Sequence, residues 1–212
     1  MQVSLAFPGR RGVILDGVLI VPGDLAGPFA SVALCHSQPV LGGHRDQSLI
    51  YATARALEAK GIASLRFNFR GVGESTGSFS AGAQEHDDVR SAVTLLRRWR
   101  SLDKRIGLMG YSFGATMAAR AAGREKAVQA MALVAPPMES FPDRNLRTWS
   151  KPMLLAAGEN DGIAPLERVR RLAEERGVQH YIVPDADHGL QGHEQKVADL
   201  VADFFAATLL RL

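Results

Sequence analysis

Five residues near the middle of the chain, Gly110-Tyr111-Ser112-Phe113-Gly114, carry the clearest chemical signal. They read Gly-x-Ser-x-Gly, between the apolar run Arg105-Ile106-Gly107-Leu108-Met109 and a stretch of small residues from Ala115 to Ala122. A strand that turns sharply into a helix holds such a serine in strained backbone geometry and lifts its hydroxyl over the sheet edge. Side chains at the two glycine positions would collide with neighbouring backbone. The Phe113 N–H then faces the point where a substrate oxygen becomes negative, and the helix N-terminus adds positive potential there. The chemistry implied is attack by a serine hydroxyl on an acyl carbonyl.

A serine hydroxyl is a weak nucleophile until a base takes its proton. Of six histidines, His188 lies in Pro184-Asp185-Ala186-Asp187-His188-Gly189, a turn directly after the last strand-like run. His180 falls inside that run and reads as structural. His86 and His193 stand at helix starts and read as solvated, while His44 lies in a loop. The base needs a carboxylate to fix its tautomer. Asp161, in Gly158-Glu159-Asn160-Asp161-Gly162 after the run Met153–Ala157, is the candidate. Asp187 and Glu159 are its rivals, but Asp187 adjoins His188 on a turn, where neighbours point apart, and Glu159 reads as a turn residue or ion-pair partner. A second amide for the oxyanion is expected from Cys35-His36-Ser37-Gln38-Pro39-Val40-Leu41-Gly42-Gly43, with Gln38 N–H favoured and Ser37 N–H the alternative. His36 then braces the loop, and Cys35 reads as a buried packing residue.

These groups need elements to hold them. Val13-Ile14-Leu15 and Val18-Leu19-Ile20-Val21 flank Asp16-Gly17, which reads as a hairpin. Strand-like runs follow at 30–35, 62–67, 105–110, 128–135, 152–157 and 178–183. Between them lie segments of helical period: Leu49, Thr53, Ala56 and Leu57; Val89, Ala92, Val93, Leu96 and Trp99; Ala115 to Ala122; about 166–176; and about 195–209. This alternation predicts a mostly parallel, twisted α/β sheet with helices on both faces and an N-terminal hairpin. Chemistry in such sheets gathers in loops at the carboxyl ends of the strands, where Ser112, Asp161, His188 and the Gln38 loop all fall. No linker or repeat divides the chain, so a single domain over 1–212 is expected.

The sequence resembles the α/β-hydrolase superfamily over essentially its full length, and looks like its small cap-less bacterial serine esterases and dienelactone-hydrolase-like members. The resemblance rests on Gly110–Gly114 for the nucleophile elbow, Gly158-x-x-Asp161 for the acid, Asp187-His188-Gly189 for the base, and Phe69-Arg70-Gly71-Val72-Gly73-Glu74-Ser75 for an arginine–glycine loop. The order Ser112, Asp161, His188 is the superfamily's order. Two features depart from the pattern. The oxyanion loop reads His36-Ser37-Gln38-Pro39 where His-Gly or His-Pro is usual, and the nucleophile is serine where dienelactone hydrolases use cysteine. The resemblance implies an α/β-hydrolase fold and a carboxylesterase-type serine hydrolase. Only Pro136 to Lys151 separates two strand runs where the superfamily inserts a cap, so no cap is expected and short acyl esters are the expected substrates. A thioesterase, an amidase or small peptidase, or a non-catalytic binding protein on the same fold are the alternatives. Met138, Phe141 and Trp149 are candidates for the acyl pocket, with plain packing as the other reading.

Composition narrows the classes further. The chain has 212 residues, 46% of them hydrophobic and 22% charged, with a single cysteine and a formal charge of +3. It can bury a substantial core and form no internal disulfide. Its densest basic run, Arg97-Arg98-Trp99-Arg100, reads as the polar end of a helix, so no nucleic-acid partner is expected. No run is long and apolar enough for a membrane span, and no signal peptide is read at Met1–Pro8, so a cytoplasmic location is expected. No Cys/His ligand cluster is visible, so neither metal nor cofactor is expected. Gly71-Val72-Gly73-Glu74-Ser75-Thr76-Gly77 has the flavour of a dinucleotide loop, but no helix starts directly after it and the next strand ends without a carboxylate; a tight loop with Arg70 as a charged anchor is the better reading. The expected partner is a small-molecule ester. Oligomeric state, a homodimer included, stays open.

Overall fold

A computed structural model describes residues 1–23, 27–142, 146 and 148–210. Along the chain it forms β1 (Gln2–Pro8), β2 (Ile14–Ile20), β3 (Phe29–Cys35), α1 (Ser48–Ala59), β4 (Ala63–Phe67), α2 (Glu85–Arg98), β5 (Leu102–Tyr111), α3 (Phe113–Ala122), β6 (Val128–Val134), β7 (Met153–Gly158), α4 (Leu166–Arg176), β8 (Gln179–Val183) and α5 (Glu194–Leu209). The strands join in one sheet in the order β1-β2-β4-β3-β5-β6-β7-β8. β2 runs antiparallel to both β1 and β4, and every pairing from β4 across to β8 is parallel. The sheet is therefore the mostly parallel α/β sheet that the alternation predicts.

The apolar runs are strands because both faces of the sheet are covered. Every residue of β3, β4 and β7 is buried. On one face Ala33, Cys35, Leu65, Leu108 and Leu133 pack with Val89, Val93 and Leu96 of α2, Ala115 and Ala118 of α3, and Val169 and Leu172 of α4. On the other, Val32, Leu34, Met109, Ala132 and Val134 pack with Leu49, Ile50 and Leu57 of α1 and Val197, Val201 and Phe205 of α5. α2 starts with three buried acidic residues, Glu85, Asp87 and Asp88, and ends on Arg97 and Arg98, the charge order that suits a helix dipole.

The N-terminal hairpin is present, but its turn is not at Asp16-Gly17. That pair lies within β2, whose residues Ile14–Ile20 run unbroken beside β1. Gly17 is there because neighbouring strands crowd it: a Cβ would stand 3.2 Å from Leu65 Cδ1 and 3.3 Å from Arg66 O. The turn is the short helical stretch Arg10–Gly12, with φ of 63° at Arg11 and 76° at Gly12, closed by the Gly9 amide on Val13 O at 2.8 Å. Between β6 and β7 runs the segment 135–152; its residues 143–145 and 147 lie outside the described ones, and among the described residues no cap domain is evident.

Candidate active site

The loops that leave β3, β5, β7 and β8 emerge on one edge of the sheet, because these four strands run parallel. β5 passes into α3 with Ser112 as the hinge residue. Its backbone sits at φ 53° and ψ −116°, a conformation that L residues avoid. The Ser112 amide donates to Val134 O of β6 at 2.8 Å, and its carbonyl accepts from Ala115 N–H at 2.9 Å. The glycines on either side are demanded by contact. A Cβ at Gly110 would lie 2.3 Å from Gly114 O, and one at Gly114 would lie 2.2 Å from Cys35 O.

Ser112 Oγ lies 2.8 Å from His188 Nε2. His188 Nδ1 lies 2.9 Å from both carboxylate oxygens of Asp161. A carboxylate only accepts, so Nδ1 carries the proton and Nε2 offers its lone pair to the serine hydroxyl. Asp161 is buried, with 3% of its surface exposed. Burial works against its charge, but hydrogen bonds from His188 and from the Ala164 and Ile163 amides outweigh that, and its pKa falls below the ordinary carboxylate value. Both amides reach Oδ1 at 2.8 Å. The rivals are occupied elsewhere: Asp187 Oδ1 accepts from Gly189 N–H at 2.8 Å, and Glu159 Oε2 from Asp185 N–H at 3.1 Å.

Sequence reasoning missed one support of this arrangement. The Tyr111 hydroxyl donates to the carbonyl oxygens of His188 and Gly189 at 2.9 and 3.2 Å, pinning the histidine loop to the residue before the serine. Burial, with the nearby Asp161, Asp187 and Glu194 charges adding to it, pushes the Tyr111 phenol up to about 12 and keeps it a donor.

The Phe113 amide is the first of α3 and has no backbone acceptor among the described residues; the same holds for the Gln38 amide. The Ser37 amide is taken, donating to Gln47 Oε1 at 3.3 Å, and the Ser37 hydroxyl donates to the same oxygen at 3.0 Å. Of the two candidates in this loop, Gln38 therefore keeps its N–H free. The Gln38 carbonyl accepts from the Leu41 and Gly43 amides, and a Cβ at Gly43 would meet Ser37 O at 2.3 Å, so the turn is locked. His36 sits beneath it, fully buried. It accepts from Phe69 N–H at Nε2, 3.2 Å away, so Nδ1 holds the proton and donates to Ser37 O at 2.8 Å. Burial lowers its pKa to about 4, which keeps it neutral. Cys35 is buried and its thiol pKa is pushed up, mainly by burial, leaving no reactive thiolate.

A cleft of about 510 Å³ opens over Ser112 and His188, walled by Leu41, Phe113, Met117 and Ile163. Met138, Phe141 and Trp149 do not line it. Met138 and Phe141 border a separate depression beside Arg168 and Leu172 of α4, and Trp149 packs under the Lys151 ammonium, 5.5 Å from its ring centre. Beside Leu41 and Ile163, the apolar wall comes from Phe113 and Met117 of α3, with Thr116 and Arg120 on the same helix face. His180 is exposed on the edge strand β8, not a packing residue, and His86 is half-buried beside Asp87 rather than solvated. Arg70 is an anchor but faces away from the cleft: it is 2% exposed and grips Asp88 of α2 through Nε and Nη2 at 2.6–3.1 Å. The Gly71, Ser75 and Thr76 amides of its loop already donate to backbone carbonyls. Among the described residues no three His, Cys, Asp or Glu side chains gather as metal ligands, and no helix is long and apolar enough to cross a membrane.

Residues 32–204 match the family model described as an alpha/beta hydrolase domain, and the chain belongs to that family. It is similar to two solved structures in particular. One is a serine hydrolase without a lid from Xanthomonas campestris, 28% identical, with a TM-score of 0.86 over 100% of this chain and 96% of that one. The other is an alpha-beta serine hydrolase homologue from Coxiella burnetii, also 28% identical, with a TM-score of 0.83 over 95% and 96% of the two chains. An uncharacterised protein of Rickettsia prowazekii is 26% identical over 188 residues, which cover 84% of this chain and 79% of the relative.

Proposed function

We propose that the protein is a serine esterase that works through an acyl-enzyme on carboxylic esters of short acyl chains. The observation that carries this reading is the unbroken relay from Ser112 Oγ through His188 to the buried Asp161. In the first step the Ser112 oxygen attacks the ester carbonyl while His188 Nε2 takes its proton. Asp161 holds the imidazole in the Nδ1–H tautomer and balances the imidazolium that forms. The Phe113 and Gln38 amides receive the oxyanion. His188 then returns its proton to the departing alcohol, and the acyl group stays on Ser112. Water then attacks the acyl carbonyl as His188 Nε2 takes its proton, the Ser112 Oγ–acyl bond breaks to release the acid, and His188 returns the proton to Ser112 Oγ.

The test is labelling of the intact protein with a fluorophosphonate, with mass spectrometry of the labelled peptide, beside hydrolysis of a panel of ester, thioester and amide substrates. The expected result is one adduct on Ser112, lost in Ser112→Ala, and turnover fastest on esters. An unlabelled Ser112 in folded protein would overturn the reading.

A further inference from the structure

Two of the cleft's polar side chains that the proposed reaction does not use stand together on one helix. Thr116 and Arg120 stand one turn apart on the α3 face that lines it. Helical threonines usually spend their hydroxyl on the carbonyl four residues back. Thr53, Thr94 and Thr208 do so, bonding Leu49, Arg90 and Phe204 carbonyls at 2.7, 2.9 and 2.8 Å. Thr116 does not. It is 3% exposed, and its Oγ1 has no hydrogen-bond partner among the described residues. A buried hydroxyl without a partner is costly, and Thr116 borders the cleft.

Arg120 supplies the charge. It is the only Asp, Glu, Lys or Arg among the described residues that line the cleft. Among the described residues one of its five N–H groups is used: Nη1 donates to Gly82 O at 2.7 Å. Nearby Glu85 is committed to the Ser80 and Gly82 amides and the Ser80 hydroxyl. Arg120 forms no ion pair within the described residues. A carbonyl such as Gly82 O needs a donor, not a cation, and although a cation suits the last turn of α3, where Arg120 stands, four of its N–H groups have no acceptor among the described residues. Helical side chains lean toward the N-terminus, which brings Arg120 back along the cleft toward Thr116 and Ser112. The helix rise sets Arg120 roughly 12 Å from Ser112 along the axis, with apolar Phe113 and Met117 between.

We infer that Thr116 and Arg120 form a subsite for a carboxylate carried by the substrate, so that the preferred esters have an anionic end separated from the scissile carbonyl by a short apolar spacer. The inference rests on the esterase reading above. The guanidinium takes the carboxylate and the Thr116 hydroxyl donates to one of its oxygens. The carboxylate can belong to the acid half or to the alcohol half of the ester, and the substrates separate the two cases.

The experiment compares kcat/KM for monomethyl glutarate against methyl pentanoate, and for para-acetoxybenzoate against para-acetoxybenzamide. The first pair carries the charge in the acyl group and the second in the leaving group. Wild type is expected to favour the anionic member of one pair by about 10- to 100-fold, the scale of a hydrogen bond to a charged group. Arg120→Gln is expected to bring that ratio close to one, Arg120→Lys to retain part of it, and Thr116→Val to lower it several-fold. Should the Gln variant fail to fold, the wild-type ratio and the Lys and Val variants decide. Equal or inverted preference in both pairs, with Ser112 still labelled by the fluorophosphonate, overturns the inference alone. So does a preference that survives Arg120→Gln. Absence of both labelling and turnover overturns the esterase reading, and this inference with it.

Discussion

Asp161 and His36 are both buried and both titratable, yet the surroundings drive them to opposite charge states. Asp161 keeps its charge because two amides and the His188 N–H point at it. Asp161→Asn leaves the volume almost unchanged but offers His188 an amide that favours the wrong tautomer, so turnover should fall by about 10⁴-fold with little change in KM; steady-state kinetics on a short nitrophenyl ester checks this. Ser112→Ala should fall further, by about 10⁶. His36 is held neutral, its pKa lowered from 6.5 to about 4 chiefly by burial. Below pH 6.5 the unfolded chain takes up a proton that the folded protein refuses. Stability is therefore complete above that pH and is lost as the pH falls toward 4, by about 1.4 kcal/mol per unit at most and about 3 kcal/mol in all. Urea denaturation of wild type and His36→Gln at pH 7 and pH 5 tests the sign: the acid-side loss should be clearly smaller in the variant.

The strand-to-helix turn at Ser112 depends on backbone touching backbone. Gly114→Ala would drive a methyl group against Cys35 O of the neighbouring strand, 2.2 Å away, where neither side can yield. The expected cost is about 3 kcal/mol or more. Gly162→Ala is the contrast: nothing among the described residues lies within 4 Å of the added carbon and φ is not in the left-handed range, so its melting temperature should stay near that of wild type. Thermal melts of the two variants make the comparison. Such spacing is legible in a sequence because steric demand fixes residue type: the elbow glycines, the order of Ser112, Asp161 and His188, and the doubly buried strands could all be read from residues alone. The hairpin turn could not. Asp16-Gly17 has turn composition, but its glycine answers crowding between strands, while the bend itself falls on Arg10, Arg11 and Gly12, where arginine gives no turn signal. Of the two readings open for Met138, Phe141 and Trp149, packing is the one the structure bears out. Met138, Phe141 and Trp149 are apolar and follow a strand end, but the chain there turns toward α4, and which apolar side chain faces a cavity depends on a path that composition does not encode. The sequence favours the Gln38 amide over that of Ser37, but the physical reason, Gln47 taking the Ser37 N–H from nine residues beyond Gln38, needs the fold.

At the scale of the whole molecule, the described residues form no cap domain over the cleft, and that determines how it meets water. Leu41 and Ile163 stand at its rim with 83% and 50% of their surfaces exposed, and no further layer covers them among the described residues. Each methylene taken from water contributes about 0.8 kcal/mol, but only where a wall receives it. Along α3 the apolar wall consists of Phe113 and Met117 and ends at the Arg120 guanidinium. An acyl chain that stops short of that group gains burial with each carbon. A longer neutral chain must strip water from the cation without replacing its hydrogen bonds, or turn out into solvent and gain nothing. Across nitrophenyl esters of two to sixteen acyl carbons, kcat/KM should therefore rise over the shortest members and then fall, with the six-carbon ester at least about tenfold ahead of the sixteen-carbon ester, a difference of about 1.4 kcal/mol. The series is measured below the aggregation threshold of the longest ester. Comparable rates at both ends of it would mean that the chain finds an apolar channel elsewhere on the surface, and the short-chain assignment would then be wrong even with the Ser112–His188–Asp161 relay intact.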